Sequence, residues 1–234
     1  MLIRWFTDTN RSLIGLLPIL ITMAVLLLCA TVHEVAHAVV STWLGDKTAK
    51  KLGRITLNPL KHIDPIGMLM IAIAGFGWFK PVPVNFLNLN RPKVDMAFVA
   101  LAGPVSNVLF AFFLICIHTP ILFATNTHAF GIYFWVSQNA FVNVVNEVFF
   151  LSITMNLGLA LFNMLPIPPL DGHWILSALL PERLSNAIRS LGRHGFLIII
   201  LLIYTGAFRF IDRLIFAMYR GMFSLTANIF SFMQ

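Results

Sequence analysis

Residues 33–37 read His-Glu-Val-Ala-His. On a helix, His33 and His37 stand four apart and share one face, so both imidazoles can reach one metal ion. Glu34 sits beside the first of them, where it can take a proton from water activated by that metal. Zinc in a catalytic site takes three protein ligands and keeps one position open. A third ligand is therefore needed. Residues 163–173, Asn-Met-Leu-Pro-Ile-Pro-Pro-Leu-Asp-Gly-His, offer two candidates. Asp171 follows an apolar run and precedes Gly172, which permits a sharp turn; His173 is its rival. Such a set implies metal-assisted hydrolysis with one Zn2+ per chain and no covalent intermediate.

The elements that must hold these residues are membrane helices. The chain has 234 residues, of which 59% are hydrophobic and only 11% charged. Ordinary soluble domains carry roughly 25% charged residues, so lipid must cover much of this surface. The first span is expected over Leu13–Trp43, too long for a signal-peptide core. The second is expected at about 96–124 and the third at about 140–165, ending in Pro166, Pro168 and Pro169. A fourth starts near Gly195, and the stretch from Arg209 reads as an interfacial amphipathic helix. Between the first two spans, the glycine-containing piece 66–79 is too short to cross comfortably and reads as a re-entrant or interfacial segment. Residues 82–90 read as an edge strand or loop, given Pro81 and Pro83.

The net charge of +7 has a membrane explanation. Eight Lys or Arg fall in 45–95 and three in 166–194, against none in 125–139. Positive loops favour the cytoplasm, which puts the ends of the first and third spans inside. His33, His37 and Asp171 then share one depth, on the cytoplasmic side of the membrane. No nucleic-acid partner is expected. Cys29 and Cys116 stand alone within apolar runs and read as small buried hydrophobes. His62 and Asp64 read as turn residues, and Glu147 as an interface anchor or helix-packing group. Asn156 reads as an interhelical hydrogen-bonding group. His118, His128 and His194 read as interfacial.

His-Glu-x-x-His near the end of one span, with Asn-x-x-Pro-x-Pro-x-Leu-Asp-Gly at the end of a later one, resembles the site-2 protease family of intramembrane zinc metalloproteases. The likeness covers roughly residues 20–175. Gly103-Pro104-Val105-Ser106-Asn107 is similar to that family's Gly-x-x-x-Asn element. Lys80–Asn85 (Lys-Pro-Val-Pro-Val-Asn) and residues 62–67 (His-Ile-Asp-Pro-Ile-Gly) resemble its bacterial branch, a likeness that implies a bacterial inner membrane. The resemblance implies Asp171 as the third metal ligand, and it implies a minimal member without a PDZ domain. It also implies Asn107 and Asn163 near the site, where they could donate to a developing oxyanion. Its substrates would be transmembrane segments of other proteins, locally unwound and paired with an edge strand at 82–90.

The expected fold class is an all-α polytopic membrane protein. A three-helix catalytic core over about 13–175 carries a re-entrant or β-hairpin-like segment between its first two spans. A C-terminal helical region follows over 176–234, and the whole of 1–234 forms one membrane-embedded domain. Three other readings compete: a zinc transporter or zinc-binding membrane protein, a metalloprotease with a downstream glutamate ligand (Glu147 or Glu182), and an inactive relative acting as a chaperone. Glu34 separates the first from a protease, because a transporter has no use for a base beside His33.

Overall fold

The computed structural model describes residues 13–74, 77–125, 128–130, 134–136 and 139–231. Residues 1–12, with Arg4 and Arg11, lie outside them. Three long helices organise the chain: α1 (Leu13–Trp43), α4 (Pro92–Ala124) and α5 (Ala140–Asn163). All three are long and apolar enough to cross a membrane, and the protein is an integral membrane protein. Each packs against the other two. Their outer faces leave Leu28, Phe98, Leu109, Phe113 and Phe141 exposed, as suits a surface that meets lipid rather than water.

Local chemistry sets where these helices begin and end. Helix α1 stops before Gly45, whose φ of 112° is a left-handed value that side chains with a Cβ rarely adopt. Helix α4 opens with Pro92 in its first turn, and Asp95 Oδ2 accepts a hydrogen bond from Arg91 N at 2.7 Å. That bond satisfies a donor the helix itself cannot use. Helix α5 is capped by Asn139, whose side chain accepts from Phe141 N. It ends before the prolines at 166, 168 and 169, which cannot continue a helical ladder.

Between α1 and α4 lie α2 (Thr48–Lys51), a 3-10 turn over Pro59–Lys61, α3 (Pro65–Ala74) and a stretch over 77–85 without regular secondary structure. A second 3-10 turn follows at Phe86–Asn88. The hairpin-like pairing expected in this segment is not formed among the described residues. Pro81 and Pro83 remove two ladder donors, and side chains take the N–H groups of Val82 and Asn85. The one ladder described pairs β1 (His128–Phe130) antiparallel with β2 (Phe134–Val136), in the connector after α4. Asp64 caps α3 by accepting from Ile66 N and Gly67 N.

After the prolines come α6 (Gly172–Leu179), α7 (Glu182–Ser190), α8 (Gly192–Tyr204) and α9 (Arg209–Ser231). Helices α7 and α8 meet at a 64° bend. The stretch from Arg209, read as an amphipathic helix, packs its apolar face on the long helices. Helix α9 runs alongside α4 and α5, with Phe208, just before it, against Phe162, Tyr219 against Phe150, and Thr226 bonded to Thr119. Tyr219 joins Ala111, Ile115, Ile153 and Leu157 in the main buried cluster. His118, expected at an interface, is instead buried. It stacks on Phe149 and lies 3.2 Å from Asn146 Oδ1.

Candidate metal centre

His33 and His37 project from one face of α1 toward α4 and the turn that follows α5. His33 Nε2 lies 3.0 Å from Asp171 Oδ2, and His37 Nε2 lies 3.3 Å from the same oxygen. The three candidate ligand atoms fall within 4.8 Å of one another, the one such group among the described residues. Each imidazole is also held from behind. His33 Nδ1 is 2.6 Å from Asn107 Oδ1, and His37 Nδ1 is 2.7 Å from the carbonyl of Val99. A ring whose Nδ1 donates to an oxygen presents Nε2 as its ligating atom.

Two nitrogen lone pairs and a carboxylate oxygen aimed at one point call for positive charge there. A three-residue set of this kind fits zinc in a catalytic site. Burial alone would raise the Asp171 carboxyl, but hydrogen bonds with His33 and His37 outweigh it and bring it down to about 2.

Two glycines make the approach possible. A Cβ built on Gly103 would lie 2.5 Å from His33 Nε2 and 2.6 Å from His37 Cε1. Only the bare backbone of α4 leaves room for both rings. Gly172 lies against the carbonyls of Met164 and Leu165, where a Cβ would collide. The chain thus folds back tightly after α5 and brings Asp171 under the histidines. The rival ligand, His173, turns its Nδ1 to its own Leu170 carbonyl at 2.5 Å and packs on Trp174.

Glu34 stands beside these groups, and its Oε2 accepts from Val82 N at 2.7 Å. Both line a cavity of about 800 Å³, with walls that include Trp78, Phe79, Phe196 and Ile199. The Lys80–Asn85 stretch is fastened there by two buried charges. Arg54 donates to the carbonyls of Lys61, Lys80 and Pro81. Asp46 accepts from Thr48 N, Thr48 Oγ1, Asn85 N and Asn88 Nδ2. Burial raises the Asp46 carboxyl, yet these bonds together hold it below the ordinary carboxylate value.

Asn163 lines the same cavity and donates one bond, to the Leu159 carbonyl. Asn107 sits behind His33, fully buried, with Nδ2 donating to the Cys29 carbonyl and to Asn156 Oδ1. Its donors face away from the cavity, so it positions His33. Sequence reasoning missed the carbonyl of Val99, which no side-chain pattern can reveal. It also missed the clearance role of Gly103, although that residue opens the motif ending in Asn107.

Comparison with known proteins agrees with this geometry. A protein of Bacillus subtilis (strain 168) named "Putative zinc metalloprotease YwhC" is 40% identical over 195 residues, covering 82% of this chain and 83% of that protein. One of Mycolicibacterium smegmatis named "Putative zinc metalloprotease Rip2" is 31% identical over 206 residues, covering 86% of this chain and 73% of that one. No solved structure matches. Residues 21–204, which hold every candidate ligand, match peptidase family M50, and the chain therefore belongs to that family, the site-2 proteases.

Proposed function

We propose that this membrane zinc metalloprotease hydrolyses peptide bonds in or near the transmembrane segments of other proteins. In this reading His33, His37 and Asp171 hold the metal and Glu34 is the catalytic base. The observation that carries it is the convergence of those three ligand atoms within 4.8 Å, with Glu34 on the same apolar-walled cavity. Zinc bound there supplies Lewis acidity, which makes water a nucleophile at neutral pH and polarises a carbonyl.

The chain's own residues do the rest. Glu34 takes the proton from the attacking water and returns it to the leaving amine. Its Oε2 is oriented by Val82 N. Asn163 uses one amide hydrogen on Leu159, and the other is left to stabilise the carbonyl oxygen as charge develops. Aromatic and aliphatic walls, Trp78, Phe79 and Phe196 among them, receive apolar substrate side chains and keep bulk water out.

A transmembrane helix hides its amides in internal hydrogen bonds, so the substrate must be held extended. The 80–85 stretch offers an edge for this. In an extended chain, the N–H and C=O of every second residue share one edge. Pro81 O and Asn85 N are taken by Arg54 and Asp46. Val82 N points the other way, to Glu34. The backbone groups of Val84, which make no backbone or side-chain hydrogen bond among the described residues, are left for a substrate strand beside Glu34. The clustering of Lys and Arg in 45–95 supports a cytoplasmic position for this end of the bundle, and the bacterial relatives support a bacterial cell membrane.

The test is a comparison of membranes carrying wild type and Glu34→Gln by quantitative proteomics, together with the zinc content of both purified proteins. Loss of specific membrane-protein fragments with zinc retained is expected. Identical fragment patterns across growth conditions would sink the proposal.

A further inference from the structure

The mechanism leaves unused a group of buried polar residues at the centre of the three long helices. Asn107 on α4, Asn156 on α5 and Thr31 on α1 are all 0% exposed, and Cys29 is 1% exposed. Unpaired polar groups are expensive at this depth, so their partners identify their purpose. Asn156 Oδ1 accepts from Asn107 Nδ2 at 2.7 Å. Asn156 Nδ2 donates to the Ser152 carbonyl at 2.8 Å and to Cys29 Sγ at 3.0 Å. Asn107 Nδ2 also donates to the Cys29 carbonyl at 3.1 Å. Asn107 Oδ1 faces His33 Nδ1 at 2.6 Å.

The orientation of each amide follows from acceptors that cannot donate. The Ser152 carbonyl fixes which end of Asn156 is nitrogen, and therefore presents its oxygen to Asn107. That oxygen and the Cys29 carbonyl together hold both hydrogens of Asn107 on one side. Only the oxygen of Asn107 is left for His33, which must then carry its proton on Nδ1 and turn Nε2 to Asp171. We propose that Asn156 is a positioning residue for the ligand His33, acting through Asn107 from a different span. The inference rests on reading His33, His37 and Asp171 as the metal site.

Thr31 is also fully buried, but its hydroxyl bonds to the Leu27 carbonyl within its own helix. It belongs to no chain of contacts leading to the site. The relay is thus confined to Cys29, Asn107 and Asn156, and Asn156 is the member furthest from the ligand.

The experiment measures zinc affinity of the full chain in lipid nanodiscs, by competition with a chromophoric chelator. Asn156→Leu keeps the volume and leaves one Asn107 hydrogen without a partner. It is expected to weaken zinc about 10- to 100-fold, as loss of an outer hydrogen-bond partner of a metal ligand does. Asn156→Asp keeps an acceptor toward Asn107 and is expected to stay near the wild-type affinity. In a double-mutant cycle, Asn107→Leu with Asn156→Leu should bind no more weakly than Asn107→Leu alone, because the effect of Asn156 passes through Asn107. A residue acting only in packing would tolerate the volume-matched Leu as well as Asp, and would give additive losses in the cycle. If Asn156→Leu does not purify folded, Asn156→Ser, too short to reach Asn107, replaces it. Wild-type affinity in the Asn156 variant, or additivity in the cycle, overturns the proposal. His33→Ala is measured beside them. If it leaves zinc binding intact, the metal-site reading falls and this inference falls with it. If it abolishes binding while Asn156→Leu does not, this inference alone fails.

Discussion

Gly103→Ala adds one carbon to the protein, and it adds it where the candidate ligands converge. The new Cβ would stand 2.5 Å from His33 Nε2 and 2.6 Å from His33 Cε1 and His37 Cε1. Non-bonded carbon contacts are comfortable at about 3.5–4.0 Å. Helix α4 and the two rings must therefore separate by about 1 Å. Zinc–ligand distances are specified to about 0.2 Å, so this shift exceeds the tolerance several-fold. A misplacement of about 1 Å costs on the order of a hundredfold in catalysis, and zinc affinity should fall at least tenfold. The fold itself should notice little. Alanine favours the helix by about 1 kcal/mol over glycine, while overpacking costs about 1–3 kcal/mol. The zinc-free variant should then melt as cooperatively as wild type, with at most about 2 kcal/mol lost. Zinc affinity by chelator competition, zinc-free thermal unfolding and cleavage of a single-span substrate test this together. Wild-type zinc affinity in Gly103→Ala would refute the claim that this glycine exists to admit the ligands.

Other consequences can be measured in the same preparation. Stripping zinc with a chelator should lower the unfolding midpoint, since a ligand at a hundred times its Kd contributes about 2.7 kcal/mol; His37→Ala should abolish that difference, and an equal shift in the variant would place the zinc elsewhere. Asp46 has a folded pKa below its ordinary value, so its stabilising contribution is complete above the unfolded value and is lost as pH falls through the folded one, below about pH 4. Asp46→Asn should cost about 1–3 kcal/mol at neutral pH and flatten that acid limb, and parallel acid profiles for the two proteins would contradict this. Val84→Pro removes the one open N–H of the site-facing edge, and it should slow substrate cleavage while leaving zinc affinity at the wild-type value. Unchanged cleavage would exclude strand addition at that edge.

Much of the site could be read from residue types and spacing. His33 and His37 declare themselves by a helical interval. Asp171 was reachable through the charge bias of the loops, which puts the ends of α1 and α5 at one depth. Choosing it over His173 needed either the family likeness or the coordinates, because two residues apart on a turn means opposite directions. Asn107 was located by its motif, yet its direction was not legible. An amide donates at one end and accepts at the other, and only its neighbours decide which end meets His33. The packing of helix α9 was not legible for a related reason. Arg209, Asp212, Arg213 and Arg220 dilute its hydropathy, whereas the face that packs on α4 and α5 depends on Ile211, Ile215, Tyr219 and Thr226. Window averages weigh all faces equally, and packing does not.

The two prolines at 81 and 83 do more than break a ladder. An unpaired strand beside an apolar cavity is a hazard, because any extended chain can add to it and aggregation follows. Proline at alternate positions strips the donors from one side of this stretch, and Arg54 and Asp46 occupy the Pro81 carbonyl and the Asn85 N–H. That side offers an incoming peptide no free donor. Under the proposed strand addition the stretch would sort chains by side: one approaching the prolines meets no donor, and one settling beside Glu34 already lies against the candidate metal site.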